Sequence, residues 1–203
     1  MNDFRIITAI TGASGSVYGV RLIKALTQAG AQTLVILSNA GIQVMSHEMG
    51  YDPETPFKEF LASDGVPEEA LSQVEVFTQD EIGAASASGS FRHAGMVVSP
   101  CSMKTLAAIA AGFADNLITR TADVCIKEER PLILVPRETP YSRIHLENML
   151  RAKKAGAVIL PPNPSFYQFP ETIEDLLDTT ISRILDHLGI GNALLPRWGE
   201  LSE

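Results

Sequence analysis

The sequence predicts a three-layer α/β fold, in which helices cover both faces of a six-stranded, mainly parallel sheet. Residues 4–29 contain a continuous apolar run, a glycine-containing loop and apolar residues at helical spacing, which is the order of a strand, a turn and a helix. Strand-like and helix-like segments then alternate along the chain, as they do in proteins with parallel sheets. Neither an internal repeat nor an interdomain linker interrupts this alternation.

Six strands are predicted from short apolar runs. The first run is almost continuously apolar, as expected of a parallel strand that is covered on both faces. Pro100 is expected to stop the fourth strand, because proline cannot donate a ladder hydrogen bond. The predicted strands are residues 4–10, 32–37, 74–78, 95–99, 131–135 and 157–160.

Capping residues predict where several helices begin. Ser102 is a good N-cap, and Thr139 followed by Pro140 is a typical helix start. Glu171 and the acids after it suit the positive end of a last helix. The first predicted helix ends near residue 29, and the others are residues 42–49, 103–111, 117–129, 140–155 and 171–188. Residues 51–72 are predicted to be a surface excursion with a short helix, and residues 84–90 to be a flexible loop or a small-residue cradle.

The composition excludes several classes of protein. The 203 residues fit one domain, and a net charge of −8 argues against a general affinity for nucleic acid or an anionic membrane surface. No apolar run approaches the roughly 20 residues of a membrane span, and the N-terminus does not resemble a signal peptide. Cys101 and Cys125 are too few for a disulfide framework. We therefore expect a cytoplasmic protein with one domain, residues 1–189, and a tail, residues 190–203, that packs on a neighbouring subunit.

The loops that follow the strands predict the position of a ligand site. Parallel sheets bind ligands beyond the carboxyl ends of their strands, and small or polar loops follow five of the predicted strands. The first loop also leads into a helix whose free N–H groups favour an anion, although a tight turn without a ligand is the simpler alternative. Together the loops predict one pocket for a phosphorylated ligand. Their sequences are TGASGS, SNAG, SPCSMKT, PRETP and PPNPSFYQF.

Two common phosphate-binding classes do not match. A dinucleotide dehydrogenase has glycines in a G-x-G-x-x-G pattern and an acid near the end of the second strand. Here the glycines are Gly12, Gly15 and Gly19, and the second strand ends in Ser38-Asn39. A Walker-type phosphate loop is absent as well, which argues against an ATPase.

Several sequence blocks together resemble the UbiX/Pad1 family of flavin prenyltransferases. The resemblance covers nearly the entire chain and implies a Rossmann-like fold with strand order 3-2-1-4-5-6. The family joins the dimethylallyl group of dimethylallyl phosphate to N5 and C6 of reduced FMN, without a metal, and so makes prenylated FMN for UbiD-type decarboxylases. Its members form homo-oligomers, commonly dodecamers. The matching blocks are TGASGS, Ser38 followed by Glu48, SGSF, GMVVSPCSMKTLAAIAAG, RTADVCIKEERPLILVPRETP, Tyr167, Arg183 and Trp198.

The resemblance also implies site residues. Those that would hold FMN are Gly12, Ala13, Ser14, Ser38, Ser102, Met103, Lys104, Thr105 and Arg137. Those that would hold the prenyl donor are Ser88, Gly89, Arg120, Lys127, Tyr167 and Arg183. The catalytic set would be Ser14 and Glu48 for proton handling near flavin N5, Lys127 to stabilise the leaving phosphate, Glu138 to protonate it and Trp198 to shelter an allylic cation.

Each assignment has a simpler structural alternative. Ser102 is expected to serve as an N-cap whether or not it also binds FMN, and Met103 can be ordinary packing. Lys127 with Asp123 has the spacing of a surface i,i+4 ion pair. Glu48 can be an exposed helix-end residue, and Trp198 can pack the tail against another subunit. Cys101 is expected to be a small buried residue, and the four histidines lack the spacing of a metal site.

Two other functions remain open. One is a related flavin-dependent cysteine decarboxylase, although those enzymes typically use a histidine after the first loop and a Pro-x-Met-Asn motif. Here the corresponding block runs from Pro100 to Met103 as Pro-Cys-Ser-Met, and the first helix lacks a histidine. The other is a non-catalytic FMN carrier or the accessory subunit of a decarboxylase.

Overall fold

Six parallel strands form a single sheet in the computed structural model, which describes residues 4–196. The strand order is β3-β2-β1-β4-β5-β6, and every pair of neighbouring strands is parallel. The predicted Rossmann-like α/β fold and strand order are therefore confirmed. The strands are β1 (Arg5–Ile10), β2 (Gln32–Leu37), β3 (Val74–Thr78), β4 (Gly95–Cys101), β5 (Leu132–Pro136) and β6 (Val158–Ile159).

Seven α-helices in the described part of the chain cover the two faces of the sheet. One apolar core lies between the sheet and α4, α5 and α6. On the opposite face, two further clusters include side chains of α1, α2, α3 and α7. The helices are α1 (Ser16–Gln28), α2 (Asn39–Met49), α3 (Phe57–Ser63), α4 (Met103–Ala111), α5 (Leu117–Lys127), α6 (Arg143–Lys154) and α7 (Ile173–His187).

Strand residues alternate between the two faces of the sheet, as the pleat requires. In β1, for example, Ile7 contributes to the core under α4 to α6, whereas Ile6 contributes to a core on the opposite face. α1 approaches the sheet closely at Gly19, where a Cβ atom would lie 2.5 Å from the carbonyl oxygen of Ser99. α1 therefore packs tightly against β4 near the carboxyl end of this strand.

The structure corrects several predicted boundaries. β4 continues through Pro100 to Cys101, which pairs with Pro136 after an irregularity in register. α6 begins at Arg143 rather than at Pro140, because the side chain of Ser142 accepts a hydrogen bond from the backbone N–H of His145 and forms the cap. A proline at the first helical position was thus a weaker start signal here than a complete capping box.

Three other helices also differ at their ends. α2 begins at Asn39, three residues earlier than predicted, because Ser38 is its N-cap. α7 begins at Ile173 with Thr172 as its N-cap. α5 ends at Lys127 rather than at residue 129. None of the helices in the described part of the chain has the length and apolarity needed to cross a membrane.

Candidate functional site

A cavity of about 200 Å³ lies at the carboxyl edge of the sheet, where β1, β2, β3 and β4 end. It collects residues from the loops after these strands, and from the starts of α4 and α5. Among them are several of the predicted FMN ligands. The lining residues include Gly12, Ser38, Gln79, Ser102, Lys104 and Thr105.

Three helix N-termini meet at this cavity. The side chain of Ser38 caps α2 by accepting from Gly41 N at 2.9 Å. Ser102 caps α4, and Asn116 caps α5 by accepting from the backbone N–H of Thr119 at 3.1 Å. First-turn N–H groups have no partner within their helix, and the dipoles of all three helices are positive at this end. The cavity is also lined by the ammonium group of Lys104 and the carboxylate of Asp115. Because these two charges offset each other, the attraction for a phosphate comes chiefly from the three helix N-termini.

The loop after β1 is built to approach this cavity closely. At Gly12, a Cβ atom would lie 2.5 Å from the Cβ of Ala40, so any other residue would force β1 and α2 apart. The hydroxyl of Thr11 donates to the carbonyl oxygen of Pro100 at 2.7 Å and accepts from Ser102 N at 2.8 Å. Thr11 therefore joins two of the loops. Of the remaining predicted FMN ligands, Ala13 is buried beside Gly12.

Sequence reasoning missed Gln79, Asn116 and Thr119, which line the cavity, and Thr11, which joins two of its loops. Two signals were present. Gln79 directly follows β3, as the other predicted ligands follow their strands. Asn116 and Thr119 have the spacing of a capping box, in which each side chain bonds the backbone of the other.

A second group lies at the start of α1 and consists of Ser14, Glu48 and Arg137. The Glu48 carboxylate accepts from Gly15 N at 2.9 Å and from Ser16 N at 3.0 Å. Partial burial raises the pKa of Glu48, but hydrogen bonds from the Ser14 side chain and these two N–H groups, with the positive charge of Arg137, lower it below its usual value. Glu48 is therefore a carboxylate near neutral pH.

This geometry corrects two expectations. At the start of α1, Glu48 already accepts from the N–H groups of Gly15 and Ser16, so these two groups are not available to a ligand phosphate. Glu48 is also more than an exposed helix-end residue, since it links the end of α2 to the first loop. Ser14 and Glu48 line a cavity of about 510 Å³ with Gly15, Val17, Met49 and Asp64.

Glu138 and Met103 also lie at the carboxyl edge of the sheet. Glu138 follows Arg137 directly after β5, and its Oε1 accepts from Thr139 N at 3.0 Å. The backbone N–H of Arg137 donates to the carbonyl oxygen of Cys101 at 3.4 Å, which connects the ends of β4 and β5. Met103 is the first residue of α4.

Four predicted donor ligands lie on α5 and on the loop that precedes β4. Ser88 and Gly89 come before the start of β4, and Lys127 comes at the end of α5, shortly before the start of β5. Because all strands are parallel, both positions are at the amino edge of the sheet, opposite the loops that are predicted to bind FMN. Lys127 is ten residues along α5 from Leu117, or about 15 Å. One chain therefore does not bring Lys127 to its own phosphate cavity.

The ion pairs of Arg120 and Lys127 differ from the Lys127–Asp123 surface pair that the spacing predicts. Asp123 accepts from Arg120 Nη1 at 2.8 Å instead of pairing with Lys127. Lys127 Nζ lies 3.4 Å from Glu128 Oε1. Arg120 Nε also donates to the carbonyl oxygen of Ala87 at 3.1 Å, next to Ser88.

Tyr167 and Arg183, the other two predicted donor ligands, lie together in a third region of the molecule. They line a cavity of about 330 Å³ between the loop after β6, α7 and residues 195–196. Arg183 Nη1 donates to Asp186 Oδ2 at 3.3 Å. The described part of the predicted tail packs on its own chain, since Asn192 Nδ2 donates to Asp186 Oδ1 at 3.2 Å. Trp198 lies outside the described residues.

The cysteines and histidines do not form a reactive centre. Cys101 and Cys125 are buried, and burial raises the pKa of the Cys125 thiol to about 12. Both thiols are therefore protonated and poor nucleophiles. Within residues 4–196, the His, Cys, Asp and Glu side chains form no group of three or more that could hold a metal ion.

Comparison with known proteins assigns the family. The family model described as Flavoprotein matches residues 1–185. The flavin prenyltransferase UbiX of Pseudomonas aeruginosa is 48% identical over 199 residues, which are 97% of this chain and 94% of that protein. The chain belongs to the UbiX/PAD1 family of flavin prenyltransferases. The mitochondrial flavin prenyltransferase PAD1 of Saccharomyces cerevisiae is 44% identical over 96% of this chain and 75% of its own length.

Solved structures agree with this family. AnUbiX (PadA1), described in complex with FMN and dimethylallyl pyrophosphate, superposes with a TM-score of 0.86 at 41% identity and covers 97% of this chain and 98% of its own. A dodecameric FMN-dependent UbiX-like decarboxylase from Escherichia coli O157:H7 has a TM-score of 0.83 at 38% identity, with 96% and 99% covered. The cysteine decarboxylase TvaF, at 18% identity and a TM-score of 0.57, shares the fold alone.

Proposed function

We propose that this chain is a flavin prenyltransferase that transfers the dimethylallyl group of dimethylallyl phosphate to N5 and C6 of reduced FMN. One observation supports it most directly: a phosphate-sized cavity lies at three helix N-termini in a chain that is 48% identical to a flavin prenyltransferase over 97% of its length. Reduced FMN supplies the electron-rich ring that accepts the prenyl group. The product, prenylated FMN, would serve a UbiD-type decarboxylase in the cytoplasm.

The residues of the phosphate cavity fit FMN. Lys104 and the first turns of α2, α4 and α5 would hold its phosphate, since they supply one full positive charge and several backbone donors. Gly12 lets the first loop pack directly against Ala40 of α2, and both residues line the cavity. Ser38, Ser102 and Thr105 contribute hydroxyl groups to the same cavity.

Glu48 and Ser14 would handle a proton beside the flavin ring. Because Glu48 is ionised near neutral pH, it can accept a proton but has none to give. Ser14 lies in hydrogen-bond contact with this carboxylate and can relay the proton to it. We assign proton donation to the departing phosphate to Glu138, which follows Arg137 at the same edge of the sheet.

The donor site would be completed by other copies of the chain. Arg120 and Lys127 both lie on α5, which starts at the carboxyl edge of the sheet. Lys127 is its last residue and lies at the amino edge, whereas the FMN cavity is at the carboxyl edge. A homo-oligomer in which these surfaces meet would place Lys127 against the leaving phosphate. Its positive charge would there stabilise the negative charge that develops on the phosphate as the allylic C–O bond breaks. A relative from Escherichia coli is described as dodecameric, and we propose the same kind of assembly here.

The two alternatives have weaker support. The cysteine decarboxylase shares only the fold with this chain, and α1 carries no histidine. A carrier that binds FMN without chemistry would not need cations for a second phosphate.

Anaerobic incubation with reduced FMN and dimethylallyl phosphate tests the proposed function. Mass spectrometry is expected to show a flavin heavier by one five-carbon unit, together with release of phosphate. Lys127→Ala and Glu138→Gln should slow this conversion while FMN binding stays near the wild-type value. Bound FMN with unconsumed dimethylallyl phosphate would instead identify a carrier, and carbon dioxide release from a peptidyl cysteine would identify the decarboxylase.

A further inference from the structure

The turn that carries Ser88 and Gly89 is held by an arginine to which the family resemblance gave no role. Arg130 Nη2 donates to the carbonyl oxygen of Gly89 at 2.6 Å, and its Nη1 donates to the carbonyl oxygen of Phe91 at 2.7 Å. A guanidinium group is a rigid planar fork, so two such bonds fix both the position and the direction of the backbone between them. Residues 89–91 are thereby fixed relative to the start of β5.

The same turn is pressed against the last turn of α5. A Cβ atom at Gly89 would lie 3.2 Å from Lys127 Nζ and would clash with the Glu128 carboxylate. Only a glycine fits here without moving these side chains. The bonds from Arg130 therefore hold a bare stretch of backbone directly beside the Lys127 ammonium group.

α5 also holds the residues just before the turn. Arg120 Nε donates to the carbonyl oxygen of Ala87 at 3.1 Å, and the hydroxyl of Thr121 donates to Ser86 Oγ at 3.3 Å. The helix that carries the donor cations thus also anchors the upstream part of the loop, while Arg130 binds the carbonyl oxygens of Gly89 and Phe91 on its downstream side. Loss of Arg130 would remove both of these bonds on the side of Lys127.

We propose that Arg130 is a positioning residue for the prenyl donor. It holds the Ser88–Gly89 turn against Lys127, so that the backbone of the turn and the ammonium group face the same phosphate. Arg130 acts through the turn, because both donor groups that it uses are already bonded to backbone carbonyls. This inference rests on the proposed function, in which that turn binds the donor phosphate.

Steady-state kinetics of two substitutions test the inference. Arg130→Gln removes the fork and its charge, and we expect the KM for dimethylallyl phosphate to rise about tenfold or more, as for the loss of charge-assisted hydrogen bonds. The Kd of FMN should stay within about twofold and kcat should change less than KM. Arg130→Lys keeps the charge but not the fork, and an intermediate KM is expected. Arg92→Gln is the matched control, because this exposed arginine lies in the same segment and its change should leave KM unaltered.

The outcomes separate this inference from the proposed function. If the wild-type protein does not prenylate FMN, the proposed function fails. If the wild type is active and Arg130→Gln matches Arg92→Gln in KM, Arg130 does not position the donor site. A parallel decline of melting temperature, FMN affinity and kcat would show a merely structural role and would also overturn the inference. Should Arg130→Gln fail to fold, Arg130→Lys decides: a raised donor KM supports positioning, and an unchanged one refutes it.

Discussion

Single residues in the first loop decide how closely this loop can pack against α2. Gly12 faces the Cβ of Ala40, and an added methyl group would lie 2.5 Å from it. Overpacking of this kind typically costs about 1–3 kcal/mol. We expect Gly12→Ala to lower the melting temperature by several degrees and to weaken FMN binding, measured by thermal denaturation and fluorescence titration. Gly83→Ala, where an added methyl group meets open space, should change neither. Unaltered FMN affinity in Gly12→Ala would show that Gly12 is not part of the FMN site.

Glu48 gives the start of α1 a pH-dependent stability. Its pKa in the folded protein is lower than in the unfolded chain, so the carboxylate stabilises the fold above about pH 4.3 and loses this effect as the pH falls through the folded-state pKa. We expect Glu48→Gln to lower the melting temperature by roughly 2–4 °C at neutral pH, as for the loss of a helix cap of about 1 kcal/mol.

A pH series of thermal unfolding checks this prediction. The difference between wild type and Glu48→Gln should shrink steadily on acidification. Glu54→Gln, a change at an exposed glutamate away from α1, serves as the control and should give no such trend. A difference that stays constant between pH 7 and pH 3 would show that the charge of Glu48 does not stabilise the first loop.

At the scale of helices and strands, the capping residues explain which element boundaries could be predicted from the sequence. β2 and β3 have the predicted bounds, and Ser102 caps α4 as expected. The predicted start of α6 was wrong because the capping box formed by Ser142 and His145, rather than Pro140, determines where the helix begins. The partner of Glu48 could not be predicted, because the bond to Gly15 joins residues 33 positions apart and depends on how α1 packs on α2.

The convergence of helix N-termini predicts a preference for the phosphate of FMN. Lys104 lies in the first turn of α4 and lines the cavity. We expect Lys104→Gln to raise the Kd of FMN about tenfold, as for one charge-assisted hydrogen bond of roughly 1.5 kcal/mol. The Kd of riboflavin, which has no phosphate, should not change. Lys153→Gln, at the exposed end of α6, is the control, and an equal loss for both flavins would place the phosphate elsewhere.

At the scale of the whole molecule, the sheet separates two groups of functional residues. The rule that parallel sheets bind ligands at their carboxyl ends predicted one pocket for five loops. Gly12, Ser38 and Ser102, from three of these loops, do share a cavity, whereas Tyr167, from the loop after β6, lines a different one. The resemblance implied that Lys127 binds the prenyl donor, but not at which edge of the sheet it lies. Its place at the amino edge follows from the same topology, since it precedes a strand rather than following one. What the single-chain sequence could not predict is which surfaces of two copies meet.

Mixed oligomers test whether one site uses residues of two chains. Lys127→Ala alters only the amino-edge residues, and Arg137→Ala alters only the carboxyl-edge residues. Because an active site needs both groups, each variant alone should lose most prenyl transfer. When both are co-expressed and assembled together, roughly a quarter of the sites at equal mixing would combine an intact amino edge from one copy with an intact carboxyl edge from another. We expect prenylated FMN, measured by mass spectrometry, to return to about that fraction. A mixture of Lys127→Ala with Arg120→Ala, which both alter the α5 side of the donor site, should recover nothing. If every site were built within one chain, the first mixture would stay as inactive as the second.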